Sequence, residues 1–390
     1  MSVLRNPNIV CKNTALCGHS RPLRSAIKAP GRWMEACSHT ECTLHQISPY
    51  IGKLKSSIAA DLIEKYSRPG DLVVDPFSGS ATIPLEAALK GRRVFASDIS
   101  PYARLLAGAK LSPPRSLEKA LLQIEETLQA ARRLRGPNLR DIPEWVRKFF
   151  HPKTLKEAVN FAGACRNSGN EFLLACLLGI LHHQRPGFLS YPSSHLVPYL
   201  RNKAYPRDEF PQMYTYRELR PRMIAKVVRV FARFSNPQVA PQITYRQGAI
   251  QHITFPWRFD SLITSPPYMN ALDYGRDNRL RLWFIDPHSG PPVESGVTRH
   301  ARVFIDAMCC LASKVDAGLR RSGHCVLIVG ESVKRSFRGH PSSVVLQIMS
   351  ERAKSLQLRE VISDEIPDVR RTRGDIKGVK AEHFLVFQKT

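Results

Sequence analysis

The stretch from Asp71 to Asp98 constrains this chain most, because it permits little besides a strand, a tight turn, a helix and a second strand. DLVVD (Asp71 to Asp75) is a short apolar run of the kind buried on both faces of a sheet. Ser78, Gly79 and Ser80 then mark a turn, and Ile83, Leu85, Ala87 and Leu89 predict a helix that Gly91 caps. RVFASD (Arg93 to Asp98) is the next strand. Upstream, Ile58, Leu62, Ile63 and Tyr66 share one helical face until PGD (Pro69 to Asp71) stops it. Strand, helix and strand in this order form a βαβ unit, so the expected fold class is α/β with a doubly wound sheet.

Later strand signals are QITYR (Gln242 to Arg246), FDSLIT (Phe259 to Thr264) and GHCVLIVG (Gly323 to Gly330). LREVI (Leu358 to Ile362) and HFLVFQ (His383 to Gln388) read as a closing pair. Phe304, Met308, Leu311, Val315 and Leu319 predict a long amphipathic helix. Between Ser112 and Ala240 the pattern is helical, broken by prolines and rich in Arg and Lys. The expected organisation is an irregular N-terminal segment (1–44), an α/β domain (45–111 and 241–390) and a mainly helical insertion (112–240).

The formal net charge is +25, from 58 Lys and Arg against 33 Asp and Glu. Such an excess has no use for a small neutral metabolite, and it suits a polyphosphate whose counterions are released on binding. The most apolar run, FLLACLLGIL (Phe172 to Leu181), falls short of a membrane span and suits a buried helix. MSVLRNPNIVCKN lacks the apolar core of a secretory signal, and the nine cysteines are irregularly spread, so a cytoplasmic protein is expected. Cys11, Cys17, Cys37 and Cys42 cluster near His19, His39 and His45, but no Cys-x-x-Cys pair is present. Free thiols rather than a metal site are expected there.

Ligands of a doubly wound sheet bind beyond the carboxyl ends of its strands. The first such turn is DPFSGSAT, where Asp75, Phe77, Ser78, Gly79 and Ser80 are candidate cofactor-binding residues. Gly79 lets backbone pass close to a ligand. Asp98, followed by Ile99, ends the next strand, where a carboxylate suits ribose hydroxyls and the alternative is a helix cap. Neither Gly-Lys-Ser/Thr nor G-x-G-x-x-G is present, so a nucleoside without phosphates fits better, and S-adenosylmethionine is one.

TSPPY (Thr264 to Tyr268) directly follows the strand FDSLIT. The amino nitrogen of cytosine or adenine shares its lone pair with the ring and is a poor nucleophile. The Ser265 hydroxyl and the Pro266 carbonyl are suited to accept its two N–H bonds and favour a pyramidal nitrogen. Pro266 and Pro267 stiffen the turn, and Tyr268 offers a face for an extruded base. The alternative is a proline turn with a surface tyrosine.

These residues carry a family resemblance. HQISPYIGKL, then PGDLVVDPFSGSAT, then an acidic residue closing the next strand, and later TSPPY, resemble the amino-methyltransferases of bacterial restriction–modification systems. That resemblance covers roughly residues 45–110 and 243–390, including DEIPDVRR (Asp364 to Arg371). It implies a seven-stranded, Rossmann-like methyltransferase sheet, S-adenosylmethionine as cofactor, and double-stranded DNA as substrate. A cognate restriction endonuclease is a possible partner. It places His45, Pro49, Tyr50 and Lys53 near the cofactor, with Phe77 and Gly79 against it. Serine before Pro-Pro is associated with cytosine N4, and Asp or Asn with adenine N6, so Ser265 favours cytosine. The segment NALDYGRDNRLRLWF (Asn270 to Phe284) is similar to the cytosine-N4 branch.

Two positions depart from the family pattern: Ala81 stands where glycine is usual, and Ala249 of RQGAIQ stands where an acid is expected. A weakened enzyme or a degenerate nucleic-acid-binding module stays open on that account, as does an RNA amino-methyltransferase. A cytosine-C5 route needs a Pro-Cys dipeptide, and none occurs. The insertion is expected to recognise the target. Its HHQRPGFLSYPSSHLVPYLRNKAYPR (His182 to Arg207) mixes cations with aromatics, making Arg185, Arg201 and Lys203 candidate DNA contacts. Arg276, just after the catalytic motif, is another. Arg222, Lys226, Arg229 and Arg233 fall at helical spacing as a basic stripe or solvent face.

Overall fold

The structure, a computed structural model, describes residues 26–35, 39–181, 189, 208–209, 211–239, 242–267, 275, 278–288, 301–332, 340–365 and 379–390. Tyr268, Arg185, Arg201, Lys203, Arg276, Cys11, Cys17, Cys37 and His19 lie outside these residues, as does most of DEIPDVRR.

The strands are β1 (Ile27–Lys28), β2 (Leu72–Asp75), β3 (Arg93–Asp98), β4 (Ile243–Gln247), β5 (Phe259–Thr264), β6 (Leu319–Ser332), β7 (Leu356–Glu365) and β8 (Val379–Lys389). They form one sheet in the order β1-β7-β8-β6-β5-β2-β3-β4. β8 runs antiparallel to both its neighbours, and the other pairings are parallel. The seven-stranded doubly wound sheet is therefore present, with two-residue β1 added at one edge. Chain order reverses between β2 and β5, which lie side by side. Their carboxyl ends make the topological switch point, the place where such sheets bind ligands.

Strand residues alternate between two apolar layers, as the two-residue period of a strand requires. Val73, Val94, Ala96, Ile263, Val326 and Ile328 face one layer with α1 (Ser56–Tyr66), α2 (Thr82–Leu89) and α3 (Pro101–Leu111). Val74, Phe95, Leu262, Cys325 and Leu327 face the other, with α10 (Ala301–Gly318) and α11 (Pro341–Arg352). All residues of β2 are buried, as its unbroken apolar run predicts.

Between residues 112 and 240 the described elements are α4 (Leu117–Arg133), α5 (Glu144–Arg147), α6 (Pro152–Ser168), α7 (Glu171–Ile180), α8 (Leu219–Phe231) and short 3-10 turns. These helices share one core with Leu44, Ile47, Leu85, Tyr102, Leu105 and Leu106, and with Leu280, Trp283 and Phe284 of α9 (Arg279–Ile285). FLLACLLGIL forms α7 from Phe172 with Leu181 as its C-cap, buried throughout.

Two expectations change. The segment before residue 45 is not wholly irregular: β1 joins the sheet, and Trp33 is buried with its indole N–H donating to Asp61 Oδ2 at 2.6 Å. The basic stripe of α8 is broken, because Lys226 turns inward and its Nζ donates to the Gln46 carbonyl at 2.9 Å. The apolar face of α8 sets its rotation, and Lys226 falls beside Met223, Val227 and Val230 on that face.

Candidate active site

The switch point is closed by a side-chain bond between the two motifs. Thr264 Oγ1, at the end of β5, donates to Asp75 Oδ1, at the end of β2, at 2.6 Å. The backbone N–H of Phe77 donates to the same oxygen at 3.3 Å. Burial pushes the Asp75 carboxyl up to about 7, its two hydrogen bonds opposing the rise and the nearby Asp98 adding to it. TSPPY and DPFSGSAT thus leave the sheet from adjacent, mutually bonded strand ends.

The turn after β2 is built from left-handed backbone. Gly79 has φ +47°, and Ala81 has φ 55° and ψ 41° before α2 begins. That conformation explains why glycine suits position 81. Asp98 ties this turn to the next: its Oδ2 accepts from Gly79 N and its Oδ1 from Ser100 N, both at 2.9 Å. Burial raises the Asp98 pKa, against these backbone bonds. The helix-cap alternative for Asp98 does not describe it, since Ser100 Oγ caps α3 by accepting from Ala103 N at 3.4 Å. Ser78 Oγ is buried without a hydrogen-bond partner among the described residues, Phe77 is half-buried, and Ile99 is an exposed apolar side chain beside Asp98. Ser80 Oγ lies 2.9 Å from Thr82 Oγ1.

Tyr50 covers the glycine: a Cβ at position 79 would lie 3.3 Å from its ring. The Tyr50 ring stacks on Tyr102, with centroids 5.8 Å apart and planes 26° apart. Tyr102 Oη donates to the carbonyl of exposed Pro49 at 2.7 Å and lies 2.7 Å from Ser48 Oγ. Lys53 Nζ donates to the His45 carbonyl at 3.1 Å. The His45 ring is fully buried, with Nε2 2.7 Å from Glu86 Oε1 of α2. Burial pushes Glu86 up to about 7 and holds His45 well below its ordinary value. His45 therefore ties the segment before α1 to α2.

Glu86, Tyr102, Lys110 and Thr264 were not singled out from the sequence. Lys110 of α3 is fully buried, its ammonium donates to the Ser80 carbonyl, and burial lowers its pKa well below the usual value. A lysine on the apolar face of YARLLAGAKL, and a glutamate inside TIPLEAAL, were the available signals.

In TSPPY, Ser265 Oγ lies 3.5 Å from the Ile328 carbonyl of β6, the limit of hydrogen-bond distance. Pro266 is buried and Pro267 half-buried. Beyond the motif, α9 packs against α3 and α5: Arg281 lies over the Tyr102 ring and Arg279 over the Trp145 ring, 5.7 Å and 4.1 Å from the centroids. Ala249 accepts from His252 N and Ile253 N at 2.9 and 3.2 Å, and the Gly248 N–H before it donates to the Asp98 carbonyl at 2.9 Å. This turn packs beside Asp98 without an acid. Cys42 Sγ is 3.9 Å from the Ser235 carbonyl, and the described residues hold no group of three His, Cys, Asp or Glu placed for a metal.

Residues 43–107 match the family model described as DNA methylase. The type II methyltransferase M.MjaII of Methanocaldococcus jannaschii is 32% identical over 83 residues, covering 21% of this chain. The matched segment spans only 16% of that relative's length. Among solved structures, TrmN from Thermus thermophilus covers 89% of this chain and 52% of its own at 13% identity and a TM-score of 0.34. A SAM-dependent methyltransferase from Methanosarcina mazei covers 84% and 96% at 8% identity and a TM-score of 0.36. At that similarity the doubly wound assignment rests on the strand order itself. Residues 43–107, which hold the turn after β2 and its supporting residues, carry the sequence signature of the DNA methylase family.

Proposed function

We propose that this chain transfers a methyl group from S-adenosylmethionine to the exocyclic amino group of a base in DNA, with cytosine N4 the favoured target. The observation that carries this reading is the Thr264–Asp75 hydrogen bond at the switch point, which holds TSPPY beside the turn of the DNA methylase segment. The residues of that turn suit a phosphate-free nucleoside cofactor: none is basic, Ser78 Oγ is a buried polar atom without a partner among the described residues, and glycine at position 79 lets the Tyr50 ring lie close against the backbone of the turn. Asp75, Phe77, Ser78, Gly79, Ser80, Asp98 and Ile99 would hold the cofactor, with Pro49, Tyr50 and Lys53 at its methionine end and His45 behind them. The Asp98 carboxylate, which already accepts backbone N–H groups of Gly79, Ile99 and Ser100, would accept the ribose hydroxyls with its remaining lone pair. When bound, the cofactor supplies an already activated methyl group.

Ser265 and the Pro266 carbonyl accept the two amino N–H bonds of the base. A Ser265 hydroxyl that gives its proton to Ile328 O meets the substrate as an acceptor, which an amino group requires. Pro267 stiffens the turn and Tyr268 stacks on the extruded base, because a duplex otherwise hides the amino group. The helical region 112–240 is the target-recognition region in this reading, with Arg185, Arg201, Lys203 and Arg276 at the DNA. Ala249, in place of the expected acid, favours a second reading: a degenerate nucleic-acid-binding module.

The test is methyl transfer from labelled S-adenosylmethionine to unmethylated mixed-sequence duplex DNA, followed by nucleoside analysis. N4-methylcytosine is expected, and Ser265→Ala should cut turnover about 100-fold or more with cofactor affinity retained. N6-methyladenine overturns the base assignment, and label in RNA alone overturns the substrate. Absence of cofactor binding leaves the degenerate module.

A further inference from the structure

The turn after β2 is held residue by residue. Ser78 N donates to the Ser97 carbonyl of β3 at 3.0 Å, and Gly79 N to Asp98 Oδ2 at 2.9 Å. The next peptide unit, Ser80–Ala81, is pinned on both sides. Its N–H, on Ala81, donates to the Ser78 carbonyl at 2.6 Å, and its carbonyl, on Ser80, accepts from Lys110 Nζ of α3. Helix α2 offers that carbonyl no donor of its own, because the N–H four residues on would belong to Pro84.

Lys110 is a costly supplier of this bond. It is fully buried, and no carboxylate among the described residues pairs with it. Burial and the nearby Lys53 both disfavour its charge, with Glu41 and Cys42 opposing them. A methionine would fill the same space without desolvating an amine, so packing alone does not account for a lysine. The bond acts where the backbone is under strain. Ala81 is left-handed, and turning the Ser80–Ala81 peptide plane would relieve it. That rotation breaks the Lys110 and Ser78 bonds together.

We propose that Lys110 is a positioning residue for the cofactor: its amine fixes the Ser80–Ala81 peptide plane, and so presets the turn on which the cofactor sits, without touching the cofactor itself. The proposal rests on the methyltransferase reading, in which Ser78, Gly79 and Ser80 hold the cofactor. A turn already in its bound shape spares the cofactor the cost of ordering it, so the bond is expressed as affinity. Turnover with saturating cofactor does not depend on it.

The experiment is calorimetric titration of the full chain with S-adenosylhomocysteine, at a temperature where each variant is folded, beside thermal unfolding. Lys110→Met, which keeps the length of the side chain and loses the donor, should weaken binding about 10-fold or more. Lys110→Gln, shorter but still a donor, should fall between that variant and the wild type. Cofactor KM should rise with the dissociation constant while kcat stays within about two-fold. Wild-type affinity in folded Lys110→Met overturns the proposal even if its Tm drops, since that is the result for a merely structural lysine. If Lys110→Met does not fold, hydrogen exchange of the ligand-free wild type carries the test. The Ala81 amide should then exchange as slowly as those of β2, and exchange at the rate of an open loop overturns the preset turn. A wild type that binds no S-adenosylhomocysteine overturns the methyltransferase reading itself, whereas binding that survives Lys110→Met overturns only the role of Lys110.

Discussion

Ala81 sits fully buried in left-handed backbone, where a side chain costs roughly 1–2 kcal/mol. Replacing it with glycine removes that strain, but gives up about 0.8 kcal/mol of methyl burial and about 0.5–1 kcal/mol of chain entropy. The terms nearly cancel, so Ala81→Gly should leave stability within about 1 kcal/mol of the wild type. Ala81→Val adds a β-branch to the same conformation and two methyls to a closed core, and should cost more than about 2 kcal/mol. Denaturant midpoints of the two variants check this; a valine variant as stable as the glycine one contradicts the left-handed turn. Asp75 gives a pH prediction. Its folded pKa of about 7 lies above the unfolded value, so the folded state keeps a proton that the unfolded chain releases near pH 4. Its contribution to stability therefore falls as pH rises from about 4 to about 7 and levels off above. Relative to Asp75→Asn, the wild type should lose up to about 4 kcal/mol across that window, at about 1.4 kcal/mol per unit. Unfolding at pH 5 and pH 8 measures it, and a pH-independent difference would mean that Asp75 is solvated.

Helix α7 shows how an element remote in sequence shapes the segment before α1. Its Gly179 has no Cβ because one would meet the Ile47 carbonyl oxygen and lie 3.1 Å from Lys226 Cε. The backbone at Ile47 is pressed against this bare surface, and nearby Thr43 Oγ1 donates to Val230 O of α8 at 2.5 Å. Gly179→Ala must displace backbone, so it should cost about 1–3 kcal/mol and weaken cofactor binding by shifting Tyr50. Thermal unfolding and cofactor KM together read this out; loss of stability with an unchanged KM would uncouple α7 from the site. The apolar run FLLACLLGIL foretold a buried helix, yet nothing in it showed which backbone Gly179 would meet.

At the scale of the whole molecule, the charge of +25 sits on a fold without a helix, among the described residues, long and apolar enough to cross a membrane. Duplex affinity should therefore fall steeply with salt, by about 10³- to 10⁵-fold between 50 and 200 mM if 6–10 phosphates are contacted. Anisotropy of a labelled duplex across that range measures the slope. A slope near zero would remove DNA as the reason for the charge. The three apolar layers also bear on domain organisation, since helices of the 112–240 region share a core with α3 and α9.

What the sequence by itself determined is everything that depends on short range. The β2–α2–β3 unit follows from apolar runs, helical periodicity and turn residues within one window, and α1, β5, β7 and β8 each follow from a local pattern of their own. TSPPY and DPFSGSAT were recognisable because each is contiguous. The tertiary structure alone decided which contiguous pieces meet. Asp75 and Thr264 stand 189 residues apart, His45 and Glu86 41, and Lys110 and Ser80 30. Lys226 looked solvated until the apolar face of α8 turned it inward. Pairings like these follow from strand order and helix rotation, which are set by burying apolar surface across the whole chain, and no local pattern encodes them.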